Sequence, residues 1–518
     1  MYLNTFSQVC LLLLFSHLSI TYLVHYAKRW SSAKKVRENR QCKEGKTERP
    51  WDVLGLGKIV ASVQAVAQEN PSEYLDTLWG EYGDTYVASF FGVKVAFTRD
   101  AANLRHILLS RWTDFDAGRN IRERMMEDIS PRSISAADGA AWREKRGMWR
   151  QQFSRLPDLF HMPSQDMHFR RLLDRIPSDG ETAVDVQALL VDMATDLLQE
   201  FTTGECADCQ TPDKQTPYQK QWMESAARVQ RNVAWIGNLG PLSRLVPMGP
   251  WKKDVAVYHR YMGAIIDRKI AEIAKTTLPV DLAAGGEQKE ERQSLLDGLV
   301  RWNDDPLLIR DSMISISFSN DSLAGIMTAT LWFLSRDARV YAKLRQTVLD
   351  TVGYEVPTYQ QIGGFPYLQQ VTNEAMRLLP PIPVNARIAN KDTWLPTGGG
   401  PEGKDSLLIK KGQPLVLSTW GAGRHSKNFG DDALEFRPER WDDLSTDTPG
   451  FLPFLIGPRT CSGQAYVQRQ STYTLVRFVQ HFSKIESRDS RPYAPRTRLA
   501  LSNRNGIWVS VTPDPLAK

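Results

Sequence analysis

Apolar residues run almost unbroken from Val9 to Phe15 and again from Leu18 to Val24, and residues 1–27 hold no Asp, Glu, Lys or Arg. About 20 such residues cross a bilayer as a helix, so this stretch predicts a single transmembrane span, moderately apolar because of Ser16, His17, Ser19 and His25. Residues 28–50 turn polar and charged and end at Pro50, which reads as a basic linker. Between Tyr82 and Thr98 the alternation has period two, with Gly83 and Gly92 at the turns, and a small sheet is expected there. From about Asp100 to Leu379 apolar positions recur at helical spacing, most clearly over Asp185 to Thr202, Val255 to Lys275, Asp311 to Leu334 and Arg339 to Val352. Residues 380–450 change character, with Pro380-Pro381-Ile382-Pro383, Gly398-Gly399-Gly400 and short apolar runs at Leu407 to Ile409 and Pro414 to Leu417, a pattern of strands and loops. The pattern predicts a mainly α fold with small β-sheets: an anchor over 1–27, a linker over 28–50 and one body over 51–518.

Composition narrows the picture. Hydrophobic residues at 42% and charged residues at 24% of 518 suit a globular body with a sizeable core. The net charge of +6 comes from Lys and Arg spread along the chain without a dense basic tract, so nucleic acid is not the expected partner. Lys28, Arg29, Lys34, Lys35, Arg37 and Arg40 follow the apolar run directly and keep the body on the cytoplasmic side by the positive-inside rule. A cleaved signal peptide would carry its basic cluster before the apolar run, and no clear small-x-small cleavage site appears. The five cysteines, Cys10, Cys42, Cys206, Cys209 and Cys461, have no repeating spacing and imply no disulfide framework. Cys206 and Cys209 have zinc-like internal spacing, but the sequence offers no second Cys pair or nearby His pair, and coincidence in a loop is the better account.

The most informative segment is Phe451 to Ala465, where Cys461 lies between a loop and the amphipathic helix that Tyr466 to Phe482 predicts. Helix N-terminal amides stabilise a thiolate, the form that ligates iron. Gly457 and Gly463 permit tight turns and the close approach of a flat macrocycle, Phe454 can shield the sulfur, and Arg459 can answer a propionate. An isolated Cys-x-Gly is ordinarily a structural cysteine in a loop; the complete Phe-x-x-Gly-x-Arg-x-Cys-x-Gly frame is more specific.

Phe454, Gly457, Arg459, Cys461 and Gly463 resemble the haem-binding signature of the cytochrome P-450 superfamily at every defining position. The resemblance extends over roughly residues 50–518. Glu374-Ala375-Met376-Arg377 is similar to the family's Glu-x-x-Arg motif, and Phe436 to Trp441 to its Pro-Glu-Arg-aromatic segment. The likeness implies that Glu374, Arg377 and Arg440 form a buried structural network. Trp142 to Arg146 resembles the Trp-x-x-x-Arg helix, which implies that Trp142 and Arg146 reach haem propionates, and Arg387 resembles a further propionate ligand. A surface salt bridge is the ordinary alternative for Arg387.

Family members carry a small-Gly-x-acid-Thr sequence in the central helix, so that an acid and a hydroxyl deliver protons to oxygen. Two places compete here. Ala324-Gly325-Ile326-Met327-Thr328 has Ala-Gly and Thr but no acid, whereas Ser319-Asn320-Asp321-Ser322 has acid and hydroxyl without Ala-Gly. Spacing from Lys343-Leu344-Arg345 favours Asp321 and Ser322, with Phe318-Ser319 narrowing the oxygen site.

The resemblance thus implies a haem b-dependent, haem-thiolate monooxygenase in the endoplasmic reticulum membrane, with Cys461 as iron ligand and its body in the cytosol. It implies dioxygen as co-substrate, an NADPH-dependent cytochrome reductase as partner and an apolar small molecule as substrate. No dinucleotide fingerprint occurs, so the reductase is a separate protein. The features around Cys461 and Leu395 to Gly400 look closest to fungal members related to alkane and fatty-acid hydroxylases and to terpenoid or polyketide pathways. Family layout puts the substrate pocket at Phe115 to Asn120, Trp235 to Val246, Ile314 to Phe318, Ile382 to Val384 and Leu501 to Asn503. An oxygen-independent haem-thiolate isomerase or dehydratase, and a haem-binding protein without turnover, are the alternatives.

Overall fold

Side chains cap some of the helices, and turn residues end them. The computed structural model describes residues 31–118, 125–177, 179–239, 249–276, 293–497 and 499–517, so the expected span over 1–27 lies outside the described residues. No helix among the described residues is long and apolar enough to cross a membrane. After the short helices α1 (Leu56–Ala67) and α2 (Pro71–Tyr82) come the strands β1 (Thr85–Phe90), β2 (Val93–Thr98) and β3 (Phe115–Asp116). The helical body follows with α3 (Gly139–Ser154), α4 (Met162–Leu173), α5 (Val186–Thr203), α6 (Pro217–Leu239), α7 (Gly249–Thr276) and α8 (Leu295–Trp302); the short strand β4 (Val184–Asp185) precedes α5. Asp185 starts α5 by accepting from the Gln187 backbone, and Gly204, at φ 82°, ends it. Ser294 and Asp297 form a reciprocal capping box at α8.

The expected single helix over Asp311 to Leu334 is two. α9 (Pro306–Ser317) is capped by Asp305 and ends at Phe318, and α10 (Asn320–Leu334) begins after Ser319. Neither Pro nor Gly stands at the break, which is why hydrophobic spacing passed over it. Then follow α11 (Ala338–Val352) and α12 (Pro366–Leu378). Strands β5 (Val384–Ala389), β6 (Thr393–Gly399), β7 (Asp405–Ile409) and β8 (Pro414–Ser418) come next, then α13 (Gln464–His481) and β9 (Phe482–Ser487), β10 (Pro495–Thr497), β11 (Leu501–Asn503) and β12 (Trp508–Pro513).

One five-stranded sheet has the order β1-β2-β8-β5-β3, in which β2 and β8 run parallel and the other pairs antiparallel. The main core joins Leu197 and Phe201 of α5, Leu331 of α10, Leu344 of α11 and Val476 of α13, all buried. α10 packs against α5, α12, α13 and β11. It therefore stands between the helix that starts at the cysteine loop and the strand carrying Leu501.

Residues 42–48, within the segment read as a linker, lie on the body: Lys43, Gly45 and Thr47 bridge Leu407, Gly399 and Val87. Lys58 Nζ sits 2.7 Å from Glu48 Oε2, an ion contact whose angles fall outside a directed hydrogen bond, and both side chains are nearly wholly buried. The Lys58 ammonium also lies over the rings of Tyr74, Phe97 and Tyr86, at 4.8, 5.1 and 5.7 Å.

Candidate functional site

The segment before α13 folds into a knot of backbone bonds that presents one sulfur. The Cys461 amide donates to the Phe454 carbonyl at 2.9 Å and the Thr460 amide to the Gly457 carbonyl at 3.1 Å. Leu455 takes φ 58°, and Gly457 takes φ 77°; a Cβ on Gly457 would stand 2.2 Å from the Leu108 carbonyl oxygen, so only glycine fits. Gly463 differs. Its φ is −88° and a Cβ there would meet only Phe153, at 3.7 Å, so nothing in the chain itself requires glycine. Phe454 is half-buried against the main core.

Cys461 is exposed although protein surrounds it closely. Burial pushes its thiol up, opposed by the Gly463 amide, the Arg146 charge and the Gln464 amide. The last three are the features that stabilise an anion at a helix start. Arg146 donates to the Thr460 carbonyl at 2.8 Å and to Ser462 Oγ at 2.5 Å, which fastens α3 beneath the loop.

Arg459 reaches the other side, donating to Asp138 Oδ1 at 2.5 Å and to the Ala137 carbonyl at 3.2 Å, with its guanidinium 4.5 Å from the Trp142 ring centre. Burial drives Arg459 downward from the usual arginine value, and Asp138 and Asp116 oppose this. Its Nε is buried with no hydrogen-bond partner. A buried cationic donor left open beside an indole suits an anionic oxygen such as a propionate, so the residues present fit a haem. Arg387 is buried instead of lying on the surface; its Nη1 donates to Asn385 Oδ1 and the Ala386 carbonyl at 2.8 and 2.7 Å. Asp138 and Trp112, whose ring lies 5.7 Å from that of Trp142, escaped sequence reasoning because no spacing connects them to the cysteine.

The structure brings Glu374, Arg377 and Arg440 together, all buried. Glu374 Oε1 accepts from Arg377 Nη2 at 2.8 Å, Arg440 Nε at 2.7 Å and the Arg437 amide at 3.0 Å. Oε2 accepts from Arg377 Nε at 2.8 Å and, unforeseen in sequence, from Trp441 Nε1 at 3.1 Å. The remaining guanidinium groups donate to the carbonyls of Gly423, Ala433, Phe429 and Asp432.

A sequence model of the cytochrome P450 family matches residues 48–508, nearly the whole chain. This chain is a cytochrome P450. It is 31% identical to the cytochrome P450 monooxygenase fsdH of Fusarium heterosporum over 91% of this chain and 83% of that protein. It is 31% identical to the cytochrome P450 monooxygenase himC of Aspergillus japonicus over 88% and 81%. Cytochrome P450 52A13 of Debaryomyces hansenii is 29% identical, with 83% of each chain covered. The P450 family binds haem iron through a cysteine thiolate.

In this P450 the competing central-helix segments have different surroundings. Asp321 and Ser322 are half-buried in the first turn of α10, directly after the break. Thr328 is buried and its hydroxyl donates to the Gly325 carbonyl at 3.1 Å, an ordinary bond within a helix. A Cβ on Gly325 would meet the Leu501 carbonyl at 3.3 Å and Pro381 at 3.8 Å, so the Ala-Gly pair serves packing against the 381 turn and β11. Phe318 is buried and stacks on Tyr258 of α7, 4.9 Å between centroids, so its ring is held in the core beside the break. Among the expected pocket segments, Phe115 is a core residue pairing with Ala389, and residues 119–120 and 240–246 lie outside the described residues.

Near Cys206 the structure gathers what the sequence had scattered. Donor atoms of His168, Asp196 and Cys206 all lie within 4.8 Å of one another. These groups are already engaged: His168 Nδ1 faces Gln210 Oε1 at 2.8 Å, His168 Nε2 faces Glu200 Oε2 at 2.5 Å, and Asp196 accepts from the Cys209 and Gln210 amides. Burial pushes the Cys206 thiol up to about 12 and Cys209 higher still. Two neutral thiols and a bonded imidazole make a clasp for the 206–210 loop.

Proposed function

We propose that this P450 uses dioxygen and electrons from an NADPH-dependent cytochrome reductase to hydroxylate or otherwise oxidise an apolar small molecule, a terpenoid, polyketide or fatty acid. The observation that carries the reading is the sulfur of Cys461, held at the start of α13 with the Gly463 and Gln464 amides and the Arg146 charge directed at it. In this reading Cys461 is the iron ligand, Trp142, Arg146, Arg387 and Arg459 answer the propionates, and Gly463 leaves room on the ring side. Bound haem b supplies the iron at which dioxygen is reduced. The Asp321 carboxyl takes up a proton and Ser322 Oγ passes it toward the oxygen, the acid–alcohol division of labour that general acid catalysis requires. The uncharged run over 1–27, followed by its basic cluster, supports a single-pass anchor in the endoplasmic reticulum with the body in the cytosol.

The test is the carbon monoxide difference spectrum of the reduced protein, then product analysis with reductase, NADPH and isotope-labelled dioxygen. Wild type is expected to give the thiolate spectrum and a labelled product; Cys461→Ala is expected to give neither. A Cys461→Ala protein with an unchanged spectrum would remove the ligand assignment. Turnover without reductase, with no label in the product, would replace the monooxygenase by an oxygen-independent isomerase or dehydratase.

A further inference from the structure

The break in the central helix is built from side chains, because Ser317-Phe318-Ser319-Asn320 contains neither Pro nor Gly. Its bonds have directions that the surroundings force. Ser317 Oγ donates to the Ile314 carbonyl at 2.8 Å, so in its contact with Tyr258 of α7 the phenol must be the donor. The same Tyr258 ring stacks on Phe318. On the other side, Thr195 of α5 donates its proton to the Val191 carbonyl at 2.8 Å, so it must accept from Asn320 Nδ2, also at 2.8 Å. That fixes the Asn320 amide, whose Oδ1 then accepts from Gln230 Nε2 of α6 at 2.8 Å. Tyr258, Phe318, Gln230 and Asn320 are all buried, where a lost partner is costly.

Asp321 and Ser322 are the next two residues, with no chain between them and this network to absorb a displacement. We propose that Tyr258 and Gln230 are positioning residues that hold the break and thereby aim Asp321 and Ser322, linking helices α6 and α7 to proton delivery. The inference rests on the reading of Asp321 and Ser322 given above.

The measurable quantity is coupling. Productive turnover consumes one dioxygen, two electrons and two protons, leaving one oxygen atom in the product and one in water; the same electrons and protons leave as hydrogen peroxide when proton delivery is misplaced. Tyr258→Phe keeps the ring and its stack, and Gln230→Leu keeps the volume. Both are expected to retain haem content, the carbon monoxide spectrum and KM. Product per NADPH should fall roughly fivefold, the size of one ordinary hydrogen bond acting on a rate, with peroxide making up the difference. Combined with Ser322→Ala, neither should lower coupling further. Wild-type coupling in Tyr258→Phe and Gln230→Leu while Ser322→Ala uncouples, or losses that multiply in the double variants, would overturn the positioning role. Should Ser322→Ala itself couple like wild type, the acid–alcohol assignment falls and this inference with it. If haem content falls in step with coupling in both variants, the network serves stability alone and the proposal is overturned.

Discussion

Two clusters of arginine lie behind and around the cysteine loop, and they are finished to different degrees. At Glu374 both carboxylate oxygens carry multiple donors, and the guanidinium groups of Arg377 and Arg440 end on backbone carbonyls. Around Cys461, Arg459 leaves its Nε buried and open, and the thiol is pushed up by burial. A closed polar network holds a fold, whereas an open one in an otherwise well-bonded region marks where something else must bind.

The sharpest way to break this contrast is Glu374→Ala, which leaves two buried guanidinium groups without their acid. The expected cost is ~3–5 kcal/mol, the range for stripping one partner from a buried ion pair. Soluble yield and the guanidinium unfolding midpoint measure it, and a near-normal midpoint would refute the lock. Arg459→Gln comes next: losing one charged hydrogen bond, ~1.5–3 kcal/mol, should speed haem transfer to a scavenger apoprotein about tenfold or more. Unchanged transfer would mean that the open Nε faces no propionate.

Lys58 is a third case, buried against an acid yet with burial outweighing the pair: its ammonium is pushed down to about 8, with Glu48 opposing. Between that value and the ordinary lysine value of 10.5 the unfolded chain holds a proton that the folded chain lacks, so stability from this group rises with pH across the window. The increase, at most about 1.4 kcal/mol per pH unit, should vanish in Lys58→Met when unfolding midpoints are compared at several alkaline pH values. Cys461→Ala should do least to stability, less than ~1 kcal/mol in the haem-free protein, since it removes a burdened thiol. A large loss would make the cysteine a structural residue after all.

Much of this was legible in sequence because the informative residues are neighbours or lie one helical turn apart. The cysteine frame is contiguous, and Glu374 and Arg377 share a helical face. Arg440 needed the company of motifs, since 66 residues separate it from Glu374. What escaped were contacts without spacing: Asp138 with Arg459, Trp441 with Glu374, and His168 and Asp196 near Cys206. The break at Phe318 escaped for a different reason. Apolar periodicity reports which face is buried, and α9 and α10 both bury theirs, so the apolar pattern runs on across the two turn residues that separate them.

The docking of residues 42–48 bears on the mechanics of the anchoring proposed above. A free tether would let the body tumble above the bilayer. Here bridges to Leu407, Gly399 and Val87 and the enclosed Lys58–Glu48 contact make this stretch part of the body. In the anchored form proposed above, the connection from residues 1–27 already meets the body at Arg40, whose guanidinium lies 4.0 Å from the Trp394 ring centre, so the lever on which the body turns is short.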